Sequence, residues 1–206
     1  MNVPAIALKT FAELKHHAAT LEFIQFVLKK LKKLGTPKKR AQFVHRMIDE
    51  SNEQVFANPL IQQLSPCKKG CSACCHTQVS VTEDEASLLA LRVNEGVTID
   101  LERLKKQMVA RDSSASYYSL SFETRKCVFL DEQGSCRVYE DRTSVCRNNA
   151  VIGSADQCDT SSGDVKSTRL VRTPEADLVT YAFFLNSPSS GSLPYMLARS
   201  LNLIDQ

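Results

Sequence analysis

Apolar side chains recur at intervals of three and four in the first part of the chain. Ile24, Val27, Leu28, Leu31 and Leu34 line one face of a helix predicted over residues 5–34. Gly35 ends it, and Thr36-Pro37 reads as an N-cap followed by proline at the first helical position. A second helix then runs to about Val55, burying Phe43, Val44, Met47 and Ile48. These two are expected to form an antiparallel pair packed against the middle of the chain. Thr82-Glu83-Asp84-Glu85 is a capping box opening a helix through about Val93, with Leu88, Leu89 and Leu91 on it. Further helices are predicted from about Asp100 to Ala110, from Thr173-Pro174-Glu175 to about Leu185, and from Pro194 onward.

The polar stretches between them read as connections. Asn58-Pro59 and Ser65-Pro66 punctuate the chain. Residues 113–122 alternate poorly and read as a loop with at most a short strand. Cys127–Asp131 and Gly134–Tyr139 read as two short strands about a glycine turn, and residues 187–194 as a flexible connection. No internal repeat is visible. The pattern predicts a mainly α fold with short irregular strands. Three segments, 1–60, 61–160 and 161–206, form one compact unit in which N- and C-terminal helices flank a cysteine-rich middle.

With 206 residues, 43% hydrophobic and 24% charged, the chain can bury a core of ordinary size. No apolar run approaches the roughly 20 residues that span a bilayer, so no membrane is expected. The opening residues lack the charged, apolar and small-residue sequence of an export signal. A cytoplasmic location follows as the expectation, with thiols kept reduced. The net charge of +3 is uneven: residues 1–50 hold ten Lys/Arg against four Asp/Glu, a balance of +6, and the remainder sums to −3. Most of the excess lies in residues 29–40. No aromatics interleave with those lysines, so a solvated helix face is the stronger reading and nucleic acid the weaker one.

Eight cysteines change the picture. Four stand together, Cys67, Cys71, Cys74 and Cys75, in C-K-K-G-C-S-A-C-C-H, and four follow as Cys127, Cys136, Cys146 and Cys158. Thiolates are soft ligands, and a C-x₂-C pair such as Cys71 and Cys74 is a common chelating unit of zinc and iron–sulfur sites. Gly70 suits a tight bend beside a bound ion, and Lys68 and Lys69 offset thiolate charge. The neighbours Cys74 and Cys75 cannot easily serve one tetrahedral ion, because their Cα atoms are about 3.8 Å apart and their side chains diverge. They serve different metals, face one polynuclear cluster, or leave one thiol free. His76 is a further candidate ligand, or simply a polar loop residue. The later four are too widely spaced for a local chelate, so folding must deliver each sulfur. Four disulfides are the arithmetic alternative.

The block C-K-K-G-C-S-A-C-C, followed by Cys127-Val-Phe-Leu and by Cys136-Arg-Val-Tyr139-Glu-Asp-Arg142-Thr-Ser-Val-Cys146-Arg147, resembles the YkgJ-type CxxCxxCC family. Members of that family are described as chelating zinc or iron through a cysteine cluster. Thr143 stands where the family commonly has proline. A similar cysteine block occurs in flagellin lysine N-methylases, though no methyl-donor loop is visible here. The resemblance implies metal binding over roughly residues 67–158 and supplies no settled reaction. No dinucleotide fingerprint, Walker loop or H-E-x-x-H motif is present. Arg137, Arg142 and Arg147 surround the later cysteines, either to meet thiolates or anions or to satisfy carbonyls and pair with Glu140 and Asp141. Tyr139 reads as packing. The reading that results is a metal-binding protein using all eight cysteines for zinc or iron, the metal mainly structural. An iron–sulfur redox protein is the alternative, and a protein partner is left open.

Overall fold

A computed structural model describes residues 2–162 and 171–204, so part of the expected C-terminal segment 161–206 lies outside the described residues. The fold is mainly α, with two short strands among the described residues. Its central element is a helix that is apolar nearly all round, which is the signature of a core helix. This helix, Pro174–Asn186 (α10 in chain order), buries Ala176, Leu178, Val179, Ala182, Phe183 and Phe184. Phe183 and Phe184 are fully enclosed, and burying each stabilises the fold by about 1.5–3 kcal/mol.

The predicted helix over 5–34 is two helices, α1 (Ala5–Leu14) and α2 (Ala18–Lys33), separated by an extended His17. The break lets each turn a separate buried face, Ala7 and Thr10 on one and Ile24, Val27 and Leu31 on the other, onto α10. Thr10 Oγ1 donates to Asp177 Oδ2 of α10 at 2.7 Å. Helix α3 (Pro37–Phe56) begins as expected, with Thr36 Oγ1 accepting from Lys39 N–H at 3.3 Å. The expected α2–α3 pair is instead a three-helix arrangement, because α10 packs against both and shares their apolar cluster. Lysines 29, 30, 32, 33, 38 and 39 are exposed. Arg40 is committed internally, to both oxygens of Asp84 and the Leu34 carbonyl.

A second apolar cluster lies nearer the cysteines. It unites Val81 of the strand Ser80–Thr82 with Leu89, Leu104, Leu197 and Phe129 from α5 (Glu83–Asn94), α6 (Leu101–Met108), α11 (Leu193–Ser200) and the loop after Cys127. The capping box of α5 forms in full, with Thr82 Oγ1 accepting from Glu85 N–H while Glu85 Oε2 accepts from Thr82 N–H. Asp100 caps α6.

Four connections differ from expectation. The stretch 187–194 is ordered: β2 (Ser190–Ser192) pairs antiparallel with β1 (Ser80–Thr82), Gly191 opposite Val81. Each strand runs directly into a helix, β1 into α5 and β2 into α11. Residues 113–122 enter short helices, α7 (Ser114–Tyr118) and α8 (Phe122–Arg125), because Ser113 and Ser121 act as N-caps rather than as loop residues. Asn58-Pro59 opens a further short helix, α4 (Pro59–Leu64), with Asn58 Oδ1 accepting from Leu60 N–H. The expected strands around Gly134 make one antiparallel bridge, Leu130 to Cys136, across a turn that places Gly134 at φ +77°.

Candidate metal centre

The upstream cysteines are placed by two tight turns. Gly70 adopts φ +93°, a conformation that favours glycine, and Cys71 N–H donates to the Lys68 carbonyl at 2.9 Å. The chain therefore doubles back so that Cys71 returns toward Cys67. A 3-10 turn, Ala73–His76, follows. Side chains in such a turn advance about 120° per residue, yet Cys74 and Cys75 both reach the same cavity, close enough for their thiols to share a hydrogen bond. Thr77 locks the turn by donating its N–H and hydroxyl to the Cys74 carbonyl.

The downstream cysteines arrive from separate elements. Cys127 N–H donates to the Cys75 carbonyl at 2.8 Å. Cys136 sits on the bridge to Leu130. Cys146 lies on α9 (Ser144–Asn148), capped by Thr143, whose Oγ1 accepts from Cys146 N–H at 3.4 Å. Cys67 Sγ accepts from Val151 N–H at 3.4 Å, tying the first cysteine to the segment after α9. Cys158 ends a 3-10 turn, Ala155–Cys158, that packs on the Ala73–His76 turn.

These placements bring seven of the eight cysteines to two adjoining cavities. One, of about 310 Å³, is lined by Cys71, Cys74, Cys75, Cys127, Cys136 and Cys146. The other, of about 390 Å³, is lined by Cys67, Cys71, Cys74 and Cys146. Cys158 lines neither, and its electrostatic neighbours are Cys74, Cys67 and Cys71. All eight are free and partly buried, their remaining accessible surface opening into the cavities for those that line them. Among the described residues no three cysteine, histidine or carboxylate side chains already stand as a closed ligand shell.

Electrostatics divide the thiols. Cys74 accepts a hydrogen bond from Cys75, and this, with Asn149 and Arg142 nearby, brings it down to about 6. Cys75, holding the shared proton, is pushed far up. Burial raises Cys127 to about 11, Cys146 to about 12 and Cys158 to about 11. The donor set fits a soft cation: six thiols enclose one cavity, one of them already poised as thiolate, and an ion would supply the charge that ionises the rest.

His76 stacks on Phe122 with ring centroids 4.0 Å apart, and its Nδ1 is buried without a partner. Burial lowers its basicity, so the neutral imidazole is favoured. The three arginines divide as well. Arg137 donates to the Leu130 carbonyl at 2.9 Å. Arg147 donates to the carbonyls of Arg142 and Glu140 and pairs with Asp49 of α3, not with Glu140 or Asp141 side chains. Asp141 pairs with Arg92. Arg142 alone faces both cavities, its guanidinium 4.2 Å above the Tyr139 ring. Lys69 approaches the same ring at 5.3 Å, so Tyr139 packs between cations.

Sequence reasoning missed Tyr117 and Asn149. Tyr117 lines the cavity of six thiols and donates its hydroxyl to the Arg125 carbonyl at 2.9 Å. Asn149 hydrogen-bonds Cys74. Neither carries a spacing signal, since both are brought in by short helices that the hydrophobic pattern does not mark. Nor does the pattern mark Arg125, which is 2% exposed and clamps the Thr160 hydroxyl and carbonyl, joining the chain before Cys127 to the chain after Cys158.

No curated protein and no solved structure matches the chain. Residues 66–163, just under half of it, match the model of the CxxCxxCC family, described as "Putative zinc- or iron-chelating domain", and the matched segment carries all eight cysteines.

Proposed function

We propose that the chain binds zinc or iron through its cysteine region and that the metal chiefly holds that region together. The observation that supports this most directly is the convergence of cysteines from four separate segments on two adjoining cavities. Cys75, Cys127 and Cys136 are candidates for the first cavity and Cys67 for the second; Cys71, Cys74 and Cys146 line both, and Cys158 stands near Cys74, Cys67 and Cys71. Metal binding supplies cross-links that a loop-rich segment cannot obtain from packing. The chain's own residues order the site first: the turn at Gly70 returns Cys71, Thr77 fixes Cys74, Thr143 fixes Cys146, and each thiol that binds gives up its proton to solvent.

A structural role is supported by where the apolar cores lie. The clusters are built chiefly from helices, with Val81, Val128, Phe129 and Val138 added in the second; the first contains no cysteine, and only Cys127 and Cys136 pack at the edge of the second. The loops carrying the thiols therefore depend most on what the thiols hold.

The test is elemental analysis of protein purified without oxygen or added metal. About two zincs per chain would support a structural metal site. Iron with matching acid-labile sulfide would replace it with the iron–sulfur reading. No zinc or iron in the purified protein, and none taken up on titration, would sink both.

A further inference from the structure

Arg142 stands out among the three arginines around the later cysteines because, among the described residues, no carboxylate or carbonyl holds its charge. Its Nε is buried without a hydrogen-bond partner, and among the described residues no carboxylate pairs with it. The neighbouring carboxylate Asp141 is taken by Arg92, and Arg147 has its own carboxylate in Asp49. Arg137 and Arg147 spend their donors on backbone carbonyls. What remains to Arg142 is the face of Tyr139 at 4.2 Å and the cysteines, since it lines both thiol cavities at their junction.

A half-buried guanidinium whose enclosed Nε lacks a partner carries a desolvation cost, and a metal held by four thiolates is a complementary problem. A divalent ion with four thiolates carries a net charge of about −2 in surroundings that solvate charge poorly. Guanidinium donors pointed at sulfur both satisfy the arginine and spread the excess negative charge, and such outer-sphere partners commonly change metal affinity by about 10–100-fold.

Resting on the metal-binding reading above, we propose that Arg142 is the charge-compensating residue of the thiolate–metal centre, positioning and neutralising the ionised sulfurs from the wall that the two cavities share. It is a positioning residue and not a ligand. Because its side chain makes no hydrogen bond among the described residues, its removal is expected to leave the rest of the fold nearly intact.

The experiment compares the wild-type chain with Arg142→Lys and Arg142→Met in zinc affinity, measured by chelator competition at two ionic strengths. Far-UV circular dichroism and thermal unfolding of the metal-free proteins serve as the control. The expected result is a loss of about tenfold or more in affinity for Arg142→Met, substantial recovery in Arg142→Lys, and unchanged helix content in all three. The gap between Met and Lys should narrow as salt rises, which a purely steric role would not produce. Affinity of Arg142→Met within twofold of wild type overturns the proposal, as does an equal loss in both variants. Failure of the wild-type chain itself to bind zinc or iron would instead overturn the metal-binding reading, and the two failures are distinct in the same data.

Discussion

The backbone N–H of Cys127 donates to the carbonyl of Cys75 at 2.8 Å, so the second group of cysteines is fastened to the first through main chain and not through sulfur. A serine at 127 keeps that bond while removing a soft ligand. Cys127→Ser and Cys146→Ser should therefore retain the helical content of the wild type and lose metal, with affinity falling by well over the roughly tenfold expected of an outer-sphere change. Cys158 lines neither cavity, so Cys158→Ser should have the smallest effect of the eight. Metal content and circular dichroism on the same samples check this; equal metal loss across all eight variants would show that the cavities do not define the centre.

Much of this arrangement was legible where a short segment determines its own conformation. The Thr82–Glu85 box and the Thr36-Pro37 start both act locally, and each predicts what is found. The break at His17 is not local: no glycine or proline marks it, and it exists because α1 and α2 each meet α10, more than 140 residues further on. The pairing of Ser80–Thr82 with Ser190–Ser192 is equally remote, and three-residue strands carry too little alternation to be seen. The role of Arg142 was visible only as one of three equivalent arginines. Telling them apart needed to know that Asp49, on α3, takes Arg147.

Glu85 joins three elements at once. Its carboxylate, 1% exposed, accepts from Thr82 N–H at the start of α5, from Ser144 N–H at 2.6 Å at the start of α9, and faces His45 Nε2 of α3 at 3.4 Å. Glu85→Ala strands three buried groups and should cost about 3–5 kcal/mol, read from urea unfolding. Burial alone would raise the Glu85 pKa, but His45, Ser144 and Thr82 together hold it below the ordinary carboxylate range. A depressed folded value means that the contribution is complete above the ordinary carboxylate pKa and is lost as pH falls through the folded one. The wild type should lose stability more steeply than Glu85→Gln on that acid side. Parallel acid profiles would show that the charge of Glu85 contributes nothing.

Thr143 holds α9, and with it Cys146, by a side-chain cap. Thr143→Ala should cost about 1 kcal/mol, a fall of about 2–4 °C in Tm for a chain of this size. Thr143 adopts φ −64°, which proline shares, and Arg142 before it is extended at φ −55°, ψ 145°. Thr143→Pro should therefore recover part of the loss, by about 0.4–1 kcal/mol through reduced freedom of the unfolded chain. A Thr143→Pro protein less stable than Thr143→Ala would show that the buried hydroxyl, not the fixed backbone, is what this position needs.

Removal of metal exposes the last consequence, which concerns reactivity. Cys74 accepts a hydrogen bond from Cys75 and is brought down to about 6, whereas burial raises Cys127 to about 11 and Cys146 to about 12. Thiolate is the nucleophile, so at neutral pH only Cys74 of this group is largely in the reactive form. A brief iodoacetamide pulse on the reduced, metal-free protein, read by peptide mass spectrometry between pH 5 and 8, should label Cys74 first, half-maximally near pH 6. Because the hydrogen bond from Cys75 is the largest cause, Cys75→Ala should move that midpoint upward, and Cys75→Ser, which keeps a donor, should move it less. Bound metal should protect Cys74 at every pH. Labelling of Cys127 ahead of Cys74, or a midpoint unmoved in Cys75→Ala, would mean that the adjacent pair does not share its proton in this way.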